Sequence, residues 1–125
     1  MYSHVMIGAD DIDAAKKFYD ATFAALGYPA GKIDPKGRVF YTNPKGMFAV
    51  TKPINGEPTT HANGGTIGFA IESVEQGDAW HAAGLANGGT AIEDAPGVRE
   101  MGPMKFYLAY LRDPAGNKVC VMKRV

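Results

Sequence analysis

The chain repeats itself at half-length. Laying its second half on its first sets Thr66-Ile67-Gly68-Phe69-Ala70 under His4-Val5-Met6-Ile7-Gly8, Ser73-Val74 under Asp11-Ile12, Trp80-His81 under Phe18-Tyr19, and Gly89 under Gly27. Each half reads strand, cap, helix, glycine stop. A second echo follows, where Asn43-Pro44-Lys45-Gly46 and Asp113-Pro114-Ala115-Gly116 each separate two runs of strand-forming residues. A unit of about 60 residues present twice is too long for a solenoid repeat and too few in copies for an array, so it reads as two fused modules related by a pseudo-twofold axis. Such a pair builds one cleft between its halves. A chain of 125 residues makes one domain, not two independently stable cores, so the halves must pack together.

Charge and composition exclude several functions. Lysine plus arginine and aspartate plus glutamate stand at 13 each, and no basic run interleaves with aromatics, so the footprint of a nucleic-acid binder is missing. No apolar run reaches membrane-spanning length, and Met1-Tyr2-Ser3-His4 enters a strand pattern without an export signal's basic and apolar series; the expectation is a cytoplasmic protein. A single cysteine, Cys120, forms no internal disulfide and fits a reducing compartment. Sixteen glycines in a chain 46% hydrophobic imply tight turns and close backbone approaches, not disorder.

Tyr2 to Gly8 alternates as a half-buried strand, with Val5 and Ile7 toward a helix and His4, Met6 and Gly8 away from it. The helix starts at a cap on Asp11, buries Ile12, Ala15, Phe18, Tyr19, Thr22 and Leu26, and stops at Gly27. Strands are predicted over 38–42 and 47–52, and the polar stretch 52–63 is the linker, with the boundary near residue 60. In the second half, a strand over 66–71 precedes a helix opened by the capping pair Ser73 and Gln76, which Gly77 and Gly84 weaken. Residues 95–103 read as an irregular loop, and 105–111 and 118–122 as a hairpin. With one short, weakly signalled strand per half, the class is α+β: two βαβββ modules, about 1–55 and 62–125, in a single domain over 1–125.

Four segments in order carry a resemblance. They are the strand opening on His4, Phe18-Tyr19-Asp20-Ala21-Thr22-Phe23-Ala24-Ala25-Leu26-Gly27-Tyr28, Asn63-Gly64-Gly65-Thr66-Ile67-Gly68-Phe69, and Tyr110-Leu111-Arg112-Asp113-Pro114-Ala115-Gly116-Asn117-Lys118-Val119. Together they resemble the vicinal oxygen chelate superfamily, which includes glyoxalase I, extradiol dioxygenases, fosfomycin-resistance thiol transferases and bleomycin-binding proteins. The resemblance implies a half-open β-barrel cleft with helices outside, and in that cleft a divalent metal that chelates two neighbouring substrate oxygens. The family's metal donors, usually histidine, glutamate or glutamine, map to His4, Thr66, Cys120 and one of Ala49, Val50 and Thr51.

Only His4 is an ordinary donor among these. Lewis-acid sites need about three protein donors, so the expectation is no bound metal and no cofactor, with a divalent metal on unusual donors as the alternative. His4 then reads as a pocket-lining hydrogen-bonder. Cys120 reads as a small buried hydrophobe, the alternative being a thiol paired with His4 as its base. His61 lies in the polar linker and reads as exposed. The cleft is expected to be lined by Met6, Ala49, Thr66, Gly68, Cys120 and Met122, with Met47 able to join Met6 and Met122 in an adaptable apolar pocket. Arg99 divides between an anion contact at the cleft mouth and an ordinary surface arginine. Tyr107 and Tyr110 have opposite parity, and Tyr107 is taken as the cleft-facing one because Phe106, Leu108 and Tyr110 form the more apolar stripe.

The functional expectation is a glyoxalase/bleomycin-resistance-like protein with a dismantled metal site, binding a small organic molecule and, as relatives commonly do, forming a homodimer. One alternative is a metal-dependent lyase, isomerase or dioxygenase using unusual donors. Another is an interaction module without a ligand.

Overall fold

The computed structural model describes all residues, Met1 to Val125. The first half folds as β1 (His4–Gly8), α1 (Ile12–Ala25), β2 (Lys32–Ile33), β3 (Val39–Asn43) and β4 (Gly46–Thr51). The second folds as β5 (Ile67–Ala70), α2 (Val74–Ala86), β6 (Thr90–Ala91), β7 (Gly97–Met101), β8 (Met104–Arg112) and β9 (Lys118–Arg124). Both halves solve the same problem in the same way. A helix carries the chain over the sheet, so the first strand lies parallel to the last: β1 to β4 with His4 opposite Met47, and β5 to β9 with Gly68 opposite Cys120. The sheet orders are β1-β4-β3-β2 and β5-β9-β8-β6. No strand joins the two sheets, so the barrel stays open between β1 and β5.

The caps form as the sequence predicts. Asp11 accepts the Ala14 amide at 3.0 Å and Ser73 accepts that of Gln76 at 3.1 Å, while Gln76 reaches back to the Glu72 amide. Gly27, at φ +84, ends α1. Neither helix is long and apolar enough to cross a membrane.

One expectation fails here. Residues 97–101 are not an irregular loop but the strand β7, antiparallel to β8 with Val98 opposite Tyr107, closed by Gly102 at φ +61 and Pro103. Strands β6 and β7 lie along different stretches of the same edge of β8, so one strand position of the module is split in two. The glycines of α2 are also more than weak points. Gly77 and Gly84 are buried, and a Cβ on either would run into Tyr107 or Leu111 of β8, so their bareness lets the helix sit close to its sheet.

One apolar cluster holds both halves, from Ala9, Phe18 and Val50 to Trp80, Leu111 and Val121. Packed against it, half-buried Phe69 of β5 meets Phe23 at 5.0 Å and Phe48 at 5.3 Å, both edge to face. The two corners where the modules meet differ. Module two's turn is clasped: Asp113, 3% exposed, accepts the Tyr19 hydroxyl at 2.7 Å and the Asn117 amide group at 2.9 Å, and Asn117 also donates to the Gly8 carbonyl at 2.9 Å. The repeat gives Asn43, Met47 and His81 where this clasp has Asp113, Asn117 and Tyr19. At that second corner only an exposed Lys45–Glu72 pair, at 3.9 Å, spans the modules' turns.

Candidate functional site: the cleft between the modules

Strand parity settles which side chains reach the open face of each sheet. Val5, Ile7, Val50, Val119 and Val121 pack into or against the core cluster, which leaves His4, Met6, Ala49, Cys120 and Met122 on the other face. Ala49 and Cys120 are nonetheless buried, whereas Met6 and Met122 are 37% and 44% exposed. Of the three residues open for the first module's last-strand donor, Val50 is therefore excluded by its direction. Ala49 carries no donor, and the Thr51 hydroxyl donates to the Lys52 carbonyl at 3.0 Å.

The remaining donor positions do not assemble. His4 is exposed, its Nδ1 2.7 Å from Ser3 Oγ. Thr66 is exposed just before β5. Burial pushes the Cys120 thiol up to about 11, and the charges that bear on it are Lys118 and Glu93 rather than His4. Its sulfur rests against Gly68, where a Cβ would come within 3.2 Å. No three His, Cys, Asp or Glu side chains come together in the fold. One exposed imidazole, one threonine hydroxyl and one buried thiol that do not come together do not fit a divalent cation that needs about three good donors.

Two further expectations are corrected. Tyr107 does not face the cleft: it is 1% exposed, packs on Gly77 and donates to Asp78 of α2 at 2.7 Å. The cleft-side tyrosine is Tyr110, directly opposite Cys120 on β9 and 5.0 Å beneath the Lys118 ammonium. The Arg99 guanidinium is committed largely to its own sheet and does not line the cavity between the modules. It donates to the carbonyls of Asp94, Ala95, Gly97 and Leu108 at 2.9 to 3.1 Å, stapling β7 to β8 and to its own loop.

A cavity of about 400 Å³ lies at the gap between β1 and β5, at the unclasped corner. Of the sequence-predicted cleft residues only His4 and Gly68 line it, joined by Met47; Met6, Ala49, Thr66, Arg99, Tyr107, Cys120 and Met122 do not. Its aromatic lining comes from Tyr2 at the start of the chain and from Phe23, Tyr28, Tyr41, Phe48 and Phe69, none of which sequence reasoning assigned to a site. A hydrophobic pattern shows that such rings turn inward. It does not show that the sheets stop short of closing over them.

The family question is answered by likeness. Residues 2–121 match the model of the Glyoxalase/Bleomycin resistance protein/Dioxygenase superfamily. Among solved structures, a glyoxalase/bleomycin resistance protein from Albidiferax ferrireducens T118 is 55% identical, with 98% of each chain covered and a TM-score of 0.94. Lactoylglutathione lyase from Agrobacterium tumefaciens is 26% identical over 98% of this chain and 92% of that one, with a TM-score of 0.67. A glyoxalase/bleomycin resistance protein/dioxygenase family enzyme from Burkholderia phytofirmans PsJN, 22% identical with 98% of each chain covered and a TM-score of 0.74, shares the fold. No curated protein matches the sequence. The paired modules, the gap between their first strands and a match over nearly the whole length lead to one conclusion: the chain belongs to the Glyoxalase/Bleomycin resistance protein/Dioxygenase superfamily.

Proposed function

We propose that this protein binds a small organic molecule in the cavity between its modules and does so without a metal. The observation that carries the reading is a cavity of about 400 Å³ floored by Phe23, Phe48 and Phe69, in a chain whose family donor positions hold Thr66, Cys120 and Ala49. A cavity of that size falls within the range of ligand pockets, and its mixture of aromatic walls with a few polar groups is what small-molecule sites present. The test is metal content by plasma mass spectrometry after loading with zinc, manganese, nickel and iron and desalting. The expected result is no stoichiometric metal. About one ion per chain, lost in His4→Ala, overturns the reading.

That outcome supports the second reading, a metal-dependent lyase or isomerase. It is favoured by retention of His4 and by the name of the relative from Agrobacterium tumefaciens, a lactoylglutathione lyase. The proposal also includes a homodimer. Strands β1 and β5 each lack a partner on one side, and Met6, Met104 and Met122 are exposed. Light scattering on the purified chain at micromolar concentration should give twice the mass of one chain, 13.3 kDa; a monomer refutes that part.

A further inference from the structure

The cavity has a polarity of its own, and this inference rests on reading it as a ligand site. Its floor is a corner of rings: Phe69 stands edge to face on Phe23 at 78° and on Phe48 at 86°, and Tyr41 closes on Phe23 at 4.8 Å. A flat ring laid against such a corner meets ring edges and faces at once. The rim is different. Among the nineteen lining residues there is no aspartate or glutamate, while His4 and Lys45 are both present.

Two of the other polar groups are already engaged, and the remaining ones, the hydroxyls of Tyr2, Tyr28 and Thr42, are uncharged. The Tyr41 hydroxyl donates to Asp20 at 2.8 Å, and Asn43 Oδ1 accepts the Lys45 amide at 2.7 Å. The Lys45 ammonium, by contrast, has only Glu72 at 3.9 Å, with both side chains about four-fifths exposed (79% and 82%), a surface pairing that holds it weakly. His4 Nδ1 faces Ser3 Oγ, which leaves Nε2 as the ring's other polar atom.

We infer that the cavity takes a flat aromatic carboxylate of one or two rings, its rings against Phe23, Phe48 and Phe69 and its carboxylate at the rim between Lys45 and His4. The apolar part leaves water, and the charge stays at the mouth, where desolvation costs least and a lysine is at hand.

The test uses three probes of one shape, 2-naphthoate, 2-naphthylmethanol and 2-naphthylmethylammonium, by thermal shift and calorimetry on the full chain and on Lys45→Gln. Naphthoate is expected to bind at least about tenfold more tightly than the alcohol, and Lys45→Gln to remove most of that advantage without altering the melting temperature of the free protein. Equal or tighter binding of the alcohol or the ammonium overturns the charge assignment and leaves the cavity reading standing. So does naphthoate binding indifferent to Lys45→Gln. If none of the three probes binds, both the inference and the reading beneath it fall.

Discussion

Cys120 turns away from the helices because Val119 and Val121 take the core, yet it is only 6% exposed on the opposite face, resting on Gly68 with Tyr110 across the strand pair. Burial therefore keeps it a thiol: with its pKa pushed up from the ordinary 9.0 to about 11, roughly a thousandth is thiolate at pH 8. Iodoacetamide at pH 8 should label the native protein at least about tenfold more slowly than the urea-unfolded chain; equal rates would show the thiol to be open and reactive. The sign of the linked stability follows. Below pH 9 both states hold the proton, whereas above it the unfolded chain releases the proton first, so this group's contribution is lost as pH rises from 9.0 toward about 11. Alternation alone was enough to predict the faces of His4, Met6 and Cys120. It failed at Tyr107, because β8 reads Phe106-Tyr107-Leu108-Ala109-Tyr110-Leu111, apolar on both faces, and a period of two then carries no direction.

At the scale of elements, α2 shows what a local reading leaves out. Its start was legible in Ser73 and Gln76, since a cap is made by neighbours in sequence. The reason for its glycines was not, because the partners, Tyr107 and Leu111, come from a strand some thirty residues on. In an exposed helix Gly→Ala stabilises by about 1 kcal/mol. Here Gly77→Ala would drive a methyl to 2.7 Å from Tyr107 Cζ, and urea unfolding should show a loss of about 1–3 kcal/mol instead. A gain would mean the helix stands further from β8 than the geometry indicates. The same limit explains β7: a short Gly-Val-Arg-Glu-Met run has little apolar pattern, and it is fixed as a strand by pairing with β8 and by Arg99's grip on four carbonyls.

For the whole molecule, the internal repeat was enough to predict two like modules and a cleft between them, but not where along the cleft space would remain. That depends on the corner residues, where the copies diverge. Burial, followed by the Asp113 carboxylate beside it, raises the Tyr19 pKa well above the ordinary tyrosine value, consistent with a hydroxyl that keeps its proton and donates it. Tyr19→Phe should cost about 1–3 kcal/mol in urea unfolding, and Asn117→Ala a similar amount. Combined with Tyr19→Phe, Asn117→Ala should give a total short of the sum, because both donors meet the same Asp113 oxygen. Unfolding should remain a single transition, since one core joins the halves. Two separate transitions would refute that coupling.

Strand β1 links the two corners. Its last residue, Gly8, is fastened by Asn117, and its first, His4, lines the cavity. The molecule is thus bound like a book, with the Asp113 clasp as its spine and the cavity at the fore-edge. A guest at the fore-edge would touch both covers at once, at the end of the strand furthest from the stitching.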